Sequence, residues 1–133
     1  MIDIVNEVCD IIEDELDVVP VVGALPPVEG VAVQVSSGSV VAEYFPRTAL
    51  NRTTLVVNSK SREQGVALQN LIDIHEVLTK RIGYPSANDW QIVTINTVNA
   101  PDFLGQENDE SYMYGSAIEV LWYDRKKAVD TPL

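Results

Sequence analysis

Residues 110–124 read ESYMYGSAIEVLWYD, and the way this stretch alternates decides the fold of the chain. In a β-strand successive side chains point to opposite faces. Tyr112, Tyr114, Ile118, Val120 and Trp122 then share one face, and Met113, Gly115, Ala117, Glu119, Leu121 and Tyr123 share the other. The first set predicts a core face packed against helices. The second mixes small, charged and apolar residues, as a subunit contact does and as a plain solvent face also does. Strand aromatics can stack nucleic-acid bases, but such platforms sit among basic residues that hold the phosphates. Glu119 and the acidic residues Asp102, Glu107, Asp109 and Glu110 supply the opposite charge.

Upstream, DWQIVTINTVN at 89–99 predicts a partner strand. The two would form a hairpin around APDFLGQENDES at 100–111, read as a polar loop longer than the usual two to five residues. Phe103 and Leu104 are apolar residues inside that loop. Side chains of this kind either tuck back onto their own domain or meet a partner. Before the hairpin, SREQGVALQNLIDIHEVLTKRIGYP predicts a long central helix. Ser61 and Gln64 have capping-box spacing, Leu68, Leu71, His75, Leu78 and Ile82 form a stripe, and Gly83 with Pro85 supplies a stop.

The first third contains β-branched runs. VAVQVSSGSVVAEYF at 31–45 predicts two antiparallel strands with SSGS as the turn, the second ending at Pro46, and a third strand follows near 53–59. Residues 1–19 predict an amphipathic helix with Val5, Val8, Cys9, Ile12 and Leu16 on its apolar side. Asp14, Glu15 and Asp17 oppose the dipole at its C-terminus, so that end should fray or meet a cation. Pro20 ends it, and Pro26 and Pro27 make 20–30 an extended link. The expected organisation is one domain over 1–133: helix at 1–19, link at 20–30, sheet and central helix at 31–124, and a loosely ordered tail at 125–133.

Composition narrows the function. The chain has 133 residues, 46% of them hydrophobic, which suits one folded domain. Its 20 acidic and 9 basic residues give a net charge of -11, which repels a phosphate backbone. No apolar run approaches the roughly 18 to 20 residues of a membrane span, and MIDIVNEVCD lacks the basic start of a signal peptide, so use in a cytoplasm is expected. Cys9 is the only cysteine, which leaves no intrachain disulfide, thiolate zinc site or CxxC pair. His75 is the only histidine and falls on the apolar stripe, where a structural role is the commoner one. The acidic loop lacks the EF-hand pattern, and no GxGxxG or Walker lysine occurs. No catalytic residue, cofactor or metal is expected. The different-class alternative is a small ligand-binding or enzymatic domain using the acidic loop; paired carboxylates of the glycosidase kind are plentiful by residue type, and nothing marks any particular pair.

An acidic first helix, a Pro-rich link, short strands, a helix ending in IGYPS, then DWQIVTINTVNAPDF and YMYGSAIEVLWY together resemble the minor capsid or tail-completion proteins of long-tailed phages and prophages. The layout is similar to the tail terminators of lambda-like phages over about residues 2–124, Trp90 and the tyrosine-rich last strand being the most telling parts. The resemblance implies an α+β subunit: a mixed, mainly antiparallel sheet of about five strands on an N-terminal and a central helix. It implies a hexameric ring that caps the tail tube, stops its polymerisation and offers a surface to the head's connector, in a virion made in a bacterial cytoplasm. A head-closure or neck protein on the portal side is the nearest alternative. The physical candidates for the assembly interface are Asp102, Phe103, Leu104, Glu107, Asp109, Glu110, Met113, Glu119, Leu121 and Tyr123.

Overall fold

The computed structural model describes residues 2–27, 29–44, 48–107 and 110–125. Chain order is α1 (Ile2–Leu16), β1 (Val21–Val22), β2 (Gly30–Tyr44), β3 (Thr48–Ser61), α2 (Gln64–Thr79), β4 (Trp90–Gln106) and β5 (Tyr112–Asp124). The strands form one sheet in the order β1-β2-β3-β5-β4, with β1 parallel to β2 and the other neighbours antiparallel. This is the expected α+β architecture, a mixed and mainly antiparallel sheet on two helices.

Both helices lie on one face of the sheet. α1 contributes Ile4, Val5, Val8, Ile11 and Ile12, and α2 contributes Ala67, Leu71, Ile74 and Leu78. They meet Val31 and Val33 of β2, Leu55 and Val57 of β3, Ile92 and Ile95 of β4, and Tyr114, Ile118, Val120 and Trp122 of β5. β5 therefore alternates as its sequence predicts, because its pairing with β3 runs from Ala49↔Asp124 to Ser61↔Tyr112 without a register shift. Two hydrogen bonds satisfy polar atoms on this face: Trp122 Nε1 donates to Thr53 Oγ1 at 3.0 Å, and Ser116 Oγ donates to the Val57 carbonyl at 2.7 Å.

Helix ends differ from the expected signals. α1 stops at Leu16, and Asp17 adopts a left-handed φ of 57° while its amide donates to the Glu13 carbonyl. The cation expected near its acidic end is Arg81 of the same chain, whose Nη1 lies 3.4 Å from Glu15 Oε1. Ser61 does not form a capping box with Gln64. Its Oγ accepts from the Glu63 amide two residues on, and Glu63 is the N-cap without a side-chain cap bond. α2 ends at Thr79, so Ile82 falls beyond the stripe and is wholly exposed. The Tyr84 hydroxyl closes this end by donating to the Leu78 carbonyl at 2.7 Å.

Three strand expectations are corrected. SSGS is no turn: β2 is continuous, with Ser37 opposite Thr54 and Ser39 opposite Arg52. Register shifts between Val35 and Ser37 and between Val40 and Ala42 carry the extra residues as bulges, so the connection comes after Tyr44. Pro46, read as a strand end, lies outside the described residues. The supposed long loop is mostly strand: β4 runs to Gln106, leaving 107–111 as the connection. Four register shifts along β4 break its period of two, and Pro101 is tolerated because a border strand needs no amide donor on its outer side. Finally, the link contains β1, which pairs Val21 with Ala32 and Val22 with Val33.

Candidate functional site

The opposite face of the sheet is covered by neither helix. Its central columns are Leu50, Arg52, Thr54, Val56 and Asn58 on β3, each opposite a β5 residue from Tyr123 back to Gly115. On β4 the same face carries Gln91, Thr94, Asn96, Asn99 and Asp102, set by their β5 partners. Small residues keep its middle low, with Gly115 and Ala117 buried. The result is an open concavity of about 770 Å³ walled by Val56, Val98 and Leu104 above Gly115 and Ala117. A Cβ at Gly115 would lie 2.9 Å from Leu104 Cδ1 and 3.0 Å from Asn58 Oδ1, so the missing side chain is what admits Leu104. The Asn58 Oδ1 atom is enclosed without a hydrogen-bond partner.

Six of the candidate residues belong to this face: Asp102, Leu104, Met113, Glu119, Leu121 and Tyr123. Glu119 forms an ion pair with Arg52 at 2.8 Å, between residues on neighbouring strands. Phe103 points the other way. Its ring centroid is 5.5 Å from that of Tyr114 and 6.5 Å from that of Tyr112, at the rim of the helix-covered core. Glu107 and Glu110 sit in the β4–β5 connection, where the Glu110 amide donates to the Glu107 carbonyl and Glu110 has φ 69°. Asp109 lies outside the described residues. The Glu107 carboxylate accepts from Lys60 Nζ at 2.6 Å, and the same ammonium donates to the Pro27 carbonyl. Lys60 thereby ties the Pro-rich link to the connection. Nothing in its sequence context marked this lysine.

A second concavity, about 530 Å³, runs along the outer border of β4 between Arg81–Tyr84 and Gln91–Asn96. The wholly exposed Ile82 and the exposed Val93 line it.

The groups with reactive potential are buried or half-buried. His75 Nδ1 lies 2.8 Å from Thr97 Oγ1, Nε2 has no partner, and burial lowers the imidazole pKa below 6.5. It is a neutral core residue. Burial, with the Asp10 and Glu13 charges, pushes the Cys9 thiol up to about 11, which keeps it protonated and poorly nucleophilic near neutrality. Among the described residues no three His, Cys, Asp or Glu side chains gather as a metal site would require.

No protein family matches the chain, and no curated protein is similar to it in sequence. Among solved structures, the fold is similar to a chain in the virion of a native gene transfer agent (GTA) particle, with a TM-score of 0.56, 10% identity and coverage of 84% of each chain. At that identity the likeness is one of fold.

Proposed function

We propose that this chain is a structural subunit of a phage or phage-like virion. The observation that carries the reading is the shared fold over 84% of both chains with a virion component. The uncovered face of a long sheet supports it, since a face with apolar walls and buried small residues is suited to contact with another subunit.

Within that class the reading is a tail terminator: a ring, hexameric by the sequence resemblance, at the head-proximal end of the tail. It would cap the tail-tube protein, stop its polymerisation and present a surface to the head-completion or connector protein. The net charge of -11 suits an electrostatically complementary partner ring or a passage that repels DNA. The outer-face group of Asp102, Leu104, Met113, Glu119, Leu121 and Tyr123 is the proposed contact, and no enzymatic step is assigned to it.

The test is electron microscopy of particles made without this protein. Abnormally long, headless tails are the expected result. Tails of normal length beside open or tailless heads would move the protein to the head-closure or neck position, and normal particles would overturn the reading.

A further inference from the structure

Two stretches stand out against the charge of the molecule. Residues 31–42, VAVQVSSGSVVA, and residues 90–101, WQIVTINTVNAP, contain no charged residue in a chain that is 22% charged. In the fold they form most of β2 and β4, which lie towards opposite borders of the sheet. β1 covers only Ala32 and Val33, so beyond them the outer side of β2 meets no described strand. On β4, after the bridge from Gln91 to Ser86, the outer side from Ile92 onward likewise meets no strand among the described residues.

An open border is a row of unpaired amides and carbonyls, and soluble monomers commonly guard it with charges, especially lysine. These borders carry no such charge. Bulges and Pro101 interrupt them, yet each keeps a regular window between two shifts: Ser37–Val40 on β2 and Thr94–Thr97 on β4. The windows are also complementary in direction. β2 is antiparallel to β3, β3 to β5 and β5 to β4, so β2 and β4 run in opposite senses. A copy brought alongside head to tail therefore sets its β2 antiparallel to β4, continuing the existing ladder.

We infer that the sheet is extended between copies of this chain, with the Ser37–Val40 window of one subunit pairing with the Thr94–Thr97 window of the next. The occupant is a second copy because like charge acts everywhere else. Two subunits at -11 repel, and border strands without charged side chains of their own are where they can approach closely. A cationic partner would gain nothing from uncharged strands. Antiparallel pairing of the windows brings the exposed Val40 of the incoming strand beside the concavity along β4, which has Ile82 and Val93 on its walls. Neighbouring strands are rotated by roughly 20 to 25°, so each added subunit turns relative to the last. Such a contact joins unlike surfaces and yields a ring where the rotation closes. The inference rests on the chain being an assembly subunit and is independent of whether it serves tail or neck.

Two variants of the full chain test it: Val40→Lys closes the β2 border and Val93→Lys the β4 border, both at exposed positions. Circular dichroism establishes that each remains folded, and native mass spectrometry and sedimentation read assembly. Each variant alone should associate about tenfold or more weakly than wild type. Mixed together they should form one-to-one dimers and nothing larger, because one live border of each kind remains. Wild-type-like assembly by both variants, or a mixture with no dimers, overturns the strand pairing while leaving the assembly reading in place. Wild type that stays monomeric, alone and with its tail-tube protein, overturns both.

Discussion

Lys60 illustrates how single side chains fix the margins of this sheet. Its ammonium is 4% exposed and is shared by the Pro27 carbonyl and the Glu107 carboxylate, whereas Glu107 is half exposed. Removing the carboxylate leaves a buried cation with one neutral acceptor, while removing the lysine leaves an anion that water can reach. Glu107→Ala should therefore destabilise by about 1–2 kcal/mol, and Lys60→Met by less than about 1 kcal/mol. Urea midpoints at unchanged slope would show this, and the reverse order would refute the asymmetry. His75 gives a second residue-level expectation. Burial lowers its folded pKa below 6.5, so the unfolded chain binds the proton first as pH falls. Its contribution is fully present above pH 6.5 and is lost as pH drops from there towards the folded pKa. Glu7, whose pKa is raised mainly by burial, acts in the opposite sense at lower pH. The difference between wild type and His75→Gln isolates the histidine: as pH falls from about 7.5 to about 5.5, wild type should lose stability relative to the variant. Parallel pH profiles would show that the imidazole is not what titrates.

At the scale of elements, the helices carry the core and the strands carry the border. Ile12 is fully enclosed between α1 and the rest of the core, so Ile12→Ala should cost about 2–4 kcal/mol. Arg81→Ala removes the 3.4 Å contact with the exposed Glu15 carboxylate at the end of α1 and the 3.2 Å hydrogen bond from Nε to the Gly83 carbonyl, and should cost about 1 kcal/mol, the ion-pair part shrinking in salt. Paired chemical denaturation at low and high ionic strength separates the two. The same elements show what the sequence could reveal. β5 was legible because nothing interrupts its pairing with β3, and period two survives along its whole length. The outer-face group from Met113 to Tyr123 was legible for the same reason. β4 was not, because each bulge shifts the alternation by a residue, so which face Phe103 takes and which Leu104 takes follows from a geometry that composition does not carry. In β2 the glycine at 38 and its serine neighbours have turn chemistry, yet pairing with Arg52, Thr53 and Thr54 holds them extended. The Lys60 clamp joins residues far apart in sequence and had no local signature.

For the whole molecule, charge would set the conditions of the proposed assembly. Copies at -11 that meet through uncharged borders should associate more tightly as salt rises, because screening shortens from about 10 Å at 0.1 M towards 3 Å at 1 M. Sedimentation across that range should show growing assembly. Loss of assembly with salt would instead indicate contacts between opposite charges. The strand order has a different consequence, for how the protein comes into being. β5 leaves the ribosome after the other described strands, yet it takes a place between two of them, flanked by β3 and β4. The β2–β3 hairpin can close during synthesis, since its partners are neighbours in the chain. β4 must wait beside it with no strand to join. A nascent chain ending before Tyr112 therefore holds apolar helices above two separated pieces of sheet, a state prone to aggregation. Insertion of β5 is the event that joins β4 to the β2–β3 hairpin in one sheet.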